Sequence, residues 1–167
     1  MSARLRTLGL AAVLSAAVAT PALAKPPWIS IEYPINPYDA SLRGAFLVVH
    51  TFIHRTPYVV RLTGTAEGIV NGERRTIPLE FKETAQTAVY TLTQSWPREG
   101  VWTLVMRAGE APGMVATAFV EIGADGEIAS VRLPTRLDRG TPIAVNPSMD
   151  DIDKALRARA GALARRN

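Results

Sequence analysis

Between residues 28 and 133, apolar and polar side chains alternate with a period of two, and Gly, Pro, Asn or Asp interrupts the pattern every several residues. A period of two puts successive side chains on opposite faces of an extended chain, so the segment specifies half-buried antiparallel strands. Eight candidate strands result. Residues 28–33 lie between Pro26-Pro27 and Pro34 with Pro37, residues that cannot donate to a ladder, and are expected at a sheet edge. Residues 45–53 are nearly all apolar, the pattern of a strand covered on both faces. Residues 58–70 and 73–81 flank Asn71-Gly72, a pair suited to the positive φ angles of a type I′ turn, which predicts a two-residue hairpin. In the second of these strands Ile77, Leu79 and Phe81 share one face, with Pro78, Glu80 and Lys82 on the other. Residues 87–93 and 101–108 are separated by Trp96-Pro97-Arg98-Glu99-Gly100, and Trp102, Leu104, Met106 and Ala108 share a face of the later strand. Residues 114–122 and 127–133 complete the series across Asp125-Gly126.

Only after this region does the period change. Residues 134–147 hold three prolines and read as an extended linker in which Ile143 and Val145 add a short edge strand. In residues 148–167, Ser148 can cap a helix, Asp150, Asp151 and Asp153 fall in its first turns, and Lys154, Arg157, Arg159, Arg165 and Arg166 follow. Acids near the start and bases toward the end both complement the helix dipole. Met149, Ile152, Leu156, Ala160 and Leu163 form an apolar stripe that requires a cover. Seven or eight strands without intervening helices predict an immunoglobulin-like antiparallel β-sandwich over residues 25–133 with a C-terminal α-helix; a small barrel is the competing fold.

The first 24 residues carry an address. Arg4 and Arg6 precede the apolar run 8–19, then Pro21 and Ala22-Leu23-Ala24, the order of a secretory signal cut after Ala24. The two arginines are not adjacent and no Cys follows the cut, which disfavours twin-arginine export and lipid attachment. The expected location is the periplasm or the exterior, with no transmembrane segment after cleavage. Without Arg4 and Arg6 the chain holds 17 Lys and Arg against 15 Asp and Glu, too even a balance for a nucleic-acid binder. The chain has no Cys, which excludes thiol catalysis and thiolate metal sites and leaves burial to hold the fold.

Residues able to carry chemistry are sparse. His50 and His54 are the only histidines, and metal binding by this pair is one reading. Residues four apart on a strand stand roughly 13 Å from one another, so sharing one ion requires a turn near Arg55-Thr56-Pro57 or ligands from another strand. The plainer reading packs one histidine beside Phe46, Val48 and Phe52 and exposes the other. Met106 and Met114 flank the turn at residues 109–113 and supply soft ligands for copper, although Met106 also shares the apolar face of Trp102 and Leu104. The carboxylates Glu32, Glu67, Glu73, Glu80, Glu83, Glu99, Glu110 and Glu121 fall mostly at outward positions or turns and read as a solvated face. Gly64-Thr65-Ala66-Glu67-Gly68 reads as a strand that bends or approaches another backbone. No nucleophile motif or phosphate-cradling loop is present, so no catalytic, cofactor-binding or metal residue is assigned.

The stretch Trp96-Pro97-Arg98-Glu99-Gly100-Val101-Trp102-Thr103-Leu104-Val105 resembles the strand entry of many immunoglobulin-like domains, in which Gly, one residue and an aromatic lead into an alternating strand. Exported bacterial members of this type include the CopC-like copper-binding proteins and the YtkA and FixH types, and the resemblance implies a β-sandwich. CopC-like proteins use a histidine at the mature N-terminus; this chain would begin Lys25-Pro26-Pro27. The expectation is an exported, non-enzymatic binding or envelope accessory protein whose partner is a protein or an envelope component. The alternative is a periplasmic copper carrier that uses His50, His54 and methionines. A further possibility is that the basic helix docks on a partner or an anionic envelope surface; its Ala-rich stripe argues for weak membrane affinity.

Overall fold

The structure, a computed structural model, describes residues 27–110, 114–138 and 140–165; the expected signal segment lies outside them. The strands are β1 (Trp28–Glu32), β2 (Leu47–Ile53), β3 (Thr56–Pro57), β4 (Leu62–Val70), β5 (Glu73–Pro78), β6 (Phe81–Glu83), β7 (Val89–Leu92), β8 (Val101–Ala108), β9 (Ala116–Ile122), β10 (Ile128–Arg132), β11 (Thr135–Asp138) and β12 (Thr141–Ala144). A single helix, α1 (Met149–Ala164), follows. The first sheet has the order β1-β2-β7-β6 with β3 beside β2, and the second has the order β10-β9-β8-β4-β5. All pairings are antiparallel. In each sheet the central strands are paired across long sequence separations, the Greek-key arrangement of an immunoglobulin-like sandwich. The fold is therefore the expected β-sandwich with a C-terminal helix.

The core between the sheets collects one parity from each strand: Ile29, Leu47, Val49, Tyr90 and Leu92 from the first sheet, and Ala66, Trp102, Leu104, Met106, Ala118 and Val120 from the second. Trp102 is the largest fully buried side chain and lies against Gly68, where any Cβ would overlap its ring. Gly64 is equally confined, since a Cβ there would stand 2.7 Å from the Val105 carbonyl oxygen. The two glycines thus let β8 lie close to β4, as the glycine-flanked segment predicts.

Asn71 and Gly72 take φ values of 52° and 81°, and Val70 pairs with Glu73, which makes the predicted two-residue hairpin. The strand expected over residues 73–81 is split. Leu79 donates its backbone N–H to Gly64 O in the second sheet, and two residues later Phe81 pairs with Leu92 in the first. β5 ends at Pro78, which sits at a pair position that makes no ladder bond, and after the Leu79 bond to Gly64 the chain changes sheet. The segment 134–147, expected to be extended, folds back instead: β11 and β12 pair over four residues, with Gly140 at φ 81° in the turn. These two departures, with the short β3, raise the strand number above the expected seven or eight.

Ser148 caps α1 as expected. Its hydroxyl accepts from the Asp151 N–H at 3.2 Å, while Asp151 Oδ2 accepts from the Ser148 N–H at 3.0 Å and from its hydroxyl at 2.7 Å. This is a reciprocal box that satisfies two backbone donors at the helix start, those of Ser148 and Asp151. Ile152 and Leu156 are buried on Val105 and Phe119, with Ile69 and Val101 beside them, so the helix covers the outer face of the second sheet. Met149, assigned to the stripe from its spacing, is 53% exposed. It is the first helical residue, and the helix residues packed on the sheet begin at Ile152.

Candidate functional site

Strand register sets a row of polar residues across the face beneath α1. Thr76 on β5 pairs with Glu67 on β4, Glu67 with Thr103 on β8, Thr103 with Glu121 on β9, and Glu121 with Ser130 on β10. The rows on either side are different. Ile69 and Val101 lie on one side, Val105 and Phe119 on the other, and these apolar residues take the helix. Polar side chains are thereby carried under a helix that binds by its apolar neighbours.

Glu67, read from the sequence as part of a solvated face, is 2% exposed. One of its oxygens accepts from the Thr65 hydroxyl; the other accepts from the Thr76 hydroxyl at 2.7 Å and meets Arg74 Nη2 at 2.8 Å. Arg74 Nε continues to Asp153 Oδ1 on α1 at 2.7 Å. A buried carboxylate is tolerated where its charge is paired and its lone pairs are occupied, and both conditions hold here. The polar character of Glu67 says nothing of this. The available signal is the helix stripe, which needs a sheet face to cover it and so buries whatever that face carries.

At the other end of the row, Glu121 Oε1 accepts from Arg132 Nη2 at 2.5 Å, and the Arg132 guanidinium stands 5.9 Å from the centre of the Phe119 ring. Arg159 of α1 donates through Nη1 to Trp102 O at 2.7 Å. Burial pushes the Arg159 pKa below its ordinary value, while the charge of Glu121 raises it and that of Arg132 lowers it further. The Ser130 hydroxyl is buried with no hydrogen-bond partner among the described residues.

Between this end of the row and the start of α1 opens a cavity of about 650 Å³. Phe119, Leu133, Val145 and Ile152 provide much of its apolar lining, and Thr103, Arg132, Asn146 and Asp151 are its polar members. Asn146 is held to the sheet because its Oδ1 accepts from the Thr117 hydroxyl at 2.6 Å. Thr103 is 5% exposed and lies between two acids, yet Glu67 takes its bonds from Thr65, Thr76 and Arg74, and Glu121 takes its bond from Arg132. Thr103 thus lines the cavity between two acids whose hydrogen bonds come from other residues.

The residues considered for metal lie elsewhere. His50 is on β2 in the first sheet, its Nε2 2.9 Å from Glu32 Oε2 and its ring stacked near Phe52 with centroids 6.3 Å apart. His54 and Arg55 take φ values of 50° and 69° and form the turn between β2 and β3, so His54 is exposed at a hairpin tip. The turn is present where metal sharing would require one, but His54 occupies the turn itself instead of returning on β3. Met106 is fully buried in the core and pairs with Ala118, not with Met114. No group of three or more His, Asp or Glu residues suited to a metal ion occurs among the described residues.

No protein-family model matches the chain, and neither a curated protein nor a solved structure matches it at a significant level. The site therefore has to be interpreted from its own chemistry.

Proposed function

We propose that the chain is an exported, non-enzymatic binding protein of the bacterial envelope and that its ligand occupies the cavity between α1 and the second sheet. The observation that carries the reading is the cavity itself. About 650 Å³ of largely apolar space with a few polar groups in its lining has the size and character of small-ligand sites. Its walls are anchored independently of any ligand, by the Ser148–Asp151 cap, the Thr117–Asn146 bond and the burial of Ile152. Support for a non-catalytic role is chemical. The hydroxyls of Thr103 and Ser130 have carboxylates and guanidiniums as neighbours, while both histidines belong to the first sheet and its turn, so no imidazole base stands beside them. Export rests on the sequence order of residues 1–24.

The test is a titration of N-phenyl-1-naphthylamine, a neutral dye that fluoresces in apolar surroundings, into the exported chain and into Ala155→Trp. Ala155 lines the cavity, and an indole there fills its mouth. Saturable fluorescence in the wild type that falls by roughly tenfold in affinity in the variant supports the reading, because that loss of about 1.4 kcal/mol exceeds ordinary surface effects. Absence of binding, or equal binding by both proteins, contradicts it.

A further inference from the structure

We infer that the chain has a second binding site, at one end of the sandwich, and that it takes a neutral pyranose sugar of one or two rings. The site shares no lining residue with the cavity under α1. Four connections meet there: residues 33–35 after β1, 45–46 before β2, 94–98 between β7 and β8, and 125–127 between β9 and β10. They enclose about 330 Å³, and connections gathered at one end of a sandwich are a common place for ligands. Tyr33 and Phe46 give the cavity an aromatic wall, with ring centroids 5.8 Å apart, and Phe46 stands edge-to-face with the buried Trp96 at 5.1 Å. Gln94, Arg98, Asp125 and Glu127 are charged or amide members of the lining. Gln94 Nε2 donates to Trp96 O at 3.1 Å, and Asp125 Oδ1 accepts from the Glu127 N–H at 3.0 Å, which fixes both turns. Gln94 Oε1, the Arg98 guanidinium and the Glu127 carboxylate have no hydrogen-bond partner among the described residues. Under α1 the situation is the reverse, since Arg132, Asp151 and Asn146 are bonded to Glu121, Ser148 and Thr117.

A simple ion of either sign meets a like charge in this lining, because Arg98 and the carboxylates of Asp125 and Glu127 border the same space. A purely apolar ligand strips water from these groups and returns no hydrogen bond. An α-amino acid carries both of its charges on one carbon, whereas the guanidinium and the carboxylates here come from two different connections. A pyranose answers the whole lining. Its ring faces present C–H groups that lie against aromatic rings, and the hydroxyls around its rim each donate and accept. The planar fork of Arg98 donates to two neighbouring hydroxyls, while Glu127, Asp125 and Gln94 Oε1 accept from others. Tyr33 and Phe46 receive the apolar face. Trp96 behind Phe46 and the hydrogen-bonded turn of residues 123–127 hold these groups in place before any ligand arrives, which lowers the ordering cost of binding.

The experiment is saturation-transfer difference NMR of the exported chain with glucose, galactose, N-acetylglucosamine, maltose, cellobiose and N,N′-diacetylchitobiose. Acetate, tetramethylammonium and phenylalanine serve as the anion, cation and zwitterion for comparison. The expected result is that at least one saccharide saturates with a Kd of about 1 mM or below, and that each charged compound binds at least roughly tenfold more weakly. Arg98→Ala and Glu127→Ala, both at exposed turn positions, should each weaken that saccharide roughly fivefold or more at unchanged melting temperature. Ala155→Trp, which fills the mouth of the cavity under α1, should leave its affinity unaltered. No saturation by any saccharide up to about 50 mM, or tighter binding of a charged compound, overturns the inference. So does a saccharide affinity that is unchanged in either turn variant, or one that is lost in Ala155→Trp. The titration with N-phenyl-1-naphthylamine reads the other cavity, so failure here leaves that reading standing, and failure there leaves this one.

Discussion

On the outer face of the first sheet Glu32 meets His50 with both side chains partly open to water, whereas on the outer face of the second Glu67 meets Arg74 beneath a helix. The strands that carry the two pairs have the same alternation, and the difference lies in what covers them. The first sheet is covered only in part, by the segment in which Leu42 and Ile35 pack on Val48 and Val89, leaving Trp28 60% exposed. The second is crossed by α1, which removes Glu67 from water and holds Arg74 through Asp153. Burial converts a polar contact worth little at the surface into one that is costly to lose, and it also encloses the cavity at the other end of the same row.

Substitutions on the two faces should separate clearly when stability is measured by urea unfolding. Arg74→Ala strands the Glu67 carboxylate and should cost about 3 kcal/mol, the low end for breaking a buried pair because Arg74 is itself partly exposed. A loss below 1 kcal/mol would mean that the two faces are energetically alike. Leu156→Ala removes a fully buried anchor of α1 and should cost about 2–3 kcal/mol. An unchanged transition would show that the helix does not stabilise the sheet, and would favour the alternative of a recognition tail. Glu32→Ala should cost less than about 1 kcal/mol, as partly exposed pairs do.

Ser148→Ala has a smaller effect with a definite pH dependence. Hydrogen bonds from the Ser148 hydroxyl and N–H hold the Asp151 pKa below its ordinary 3.8. A carboxylate whose pKa is lowered by folding stabilises the fold above its unfolded pKa, and the contribution fades as pH falls through the lowered folded value. The melting-temperature gap between wild type and Ser148→Ala should therefore be full above pH 3.8 and should narrow below it. A gap that widens on acidification would contradict the capping account.

Much of the sandwich could be read directly from the sequence, because local chemistry determines it. Asn71-Gly72 supplies the φ angles of its turn, and the parity of Trp102, Leu104, Met106 and Ala108 names the core face of β8. What could not be read depends on how elements stack. The break between Pro78 and Phe81 looks like continuous alternation, since Ile77, Leu79 and Phe81 keep one face inward while the chain moves from one sheet to the other. Glu67 and Glu121 look like surface acids because alternation reports which side of a strand a residue occupies, not whether another layer covers that side. The clue was divided between distant segments: an apolar stripe at Ile152 and Leu156, and outward apolar residues Ile69, Val101, Val105 and Phe119 on three strands. Only the register joins them, and it also brings Thr103, Phe119 and Arg132 to the cavity.

The two faces can be compared in one experiment: backbone amide shifts of the ¹⁵N-labelled exported chain recorded during a titration with N-phenyl-1-naphthylamine. Saturable changes should gather at Thr103, Phe119, Arg132, Asn146 and the first turns of α1, with Trp28, His50 and Phe52 unmoved. Changes centred on Trp28 and Phe52, or no saturable change at all, would contradict a ligand site between the helix and the second sheet.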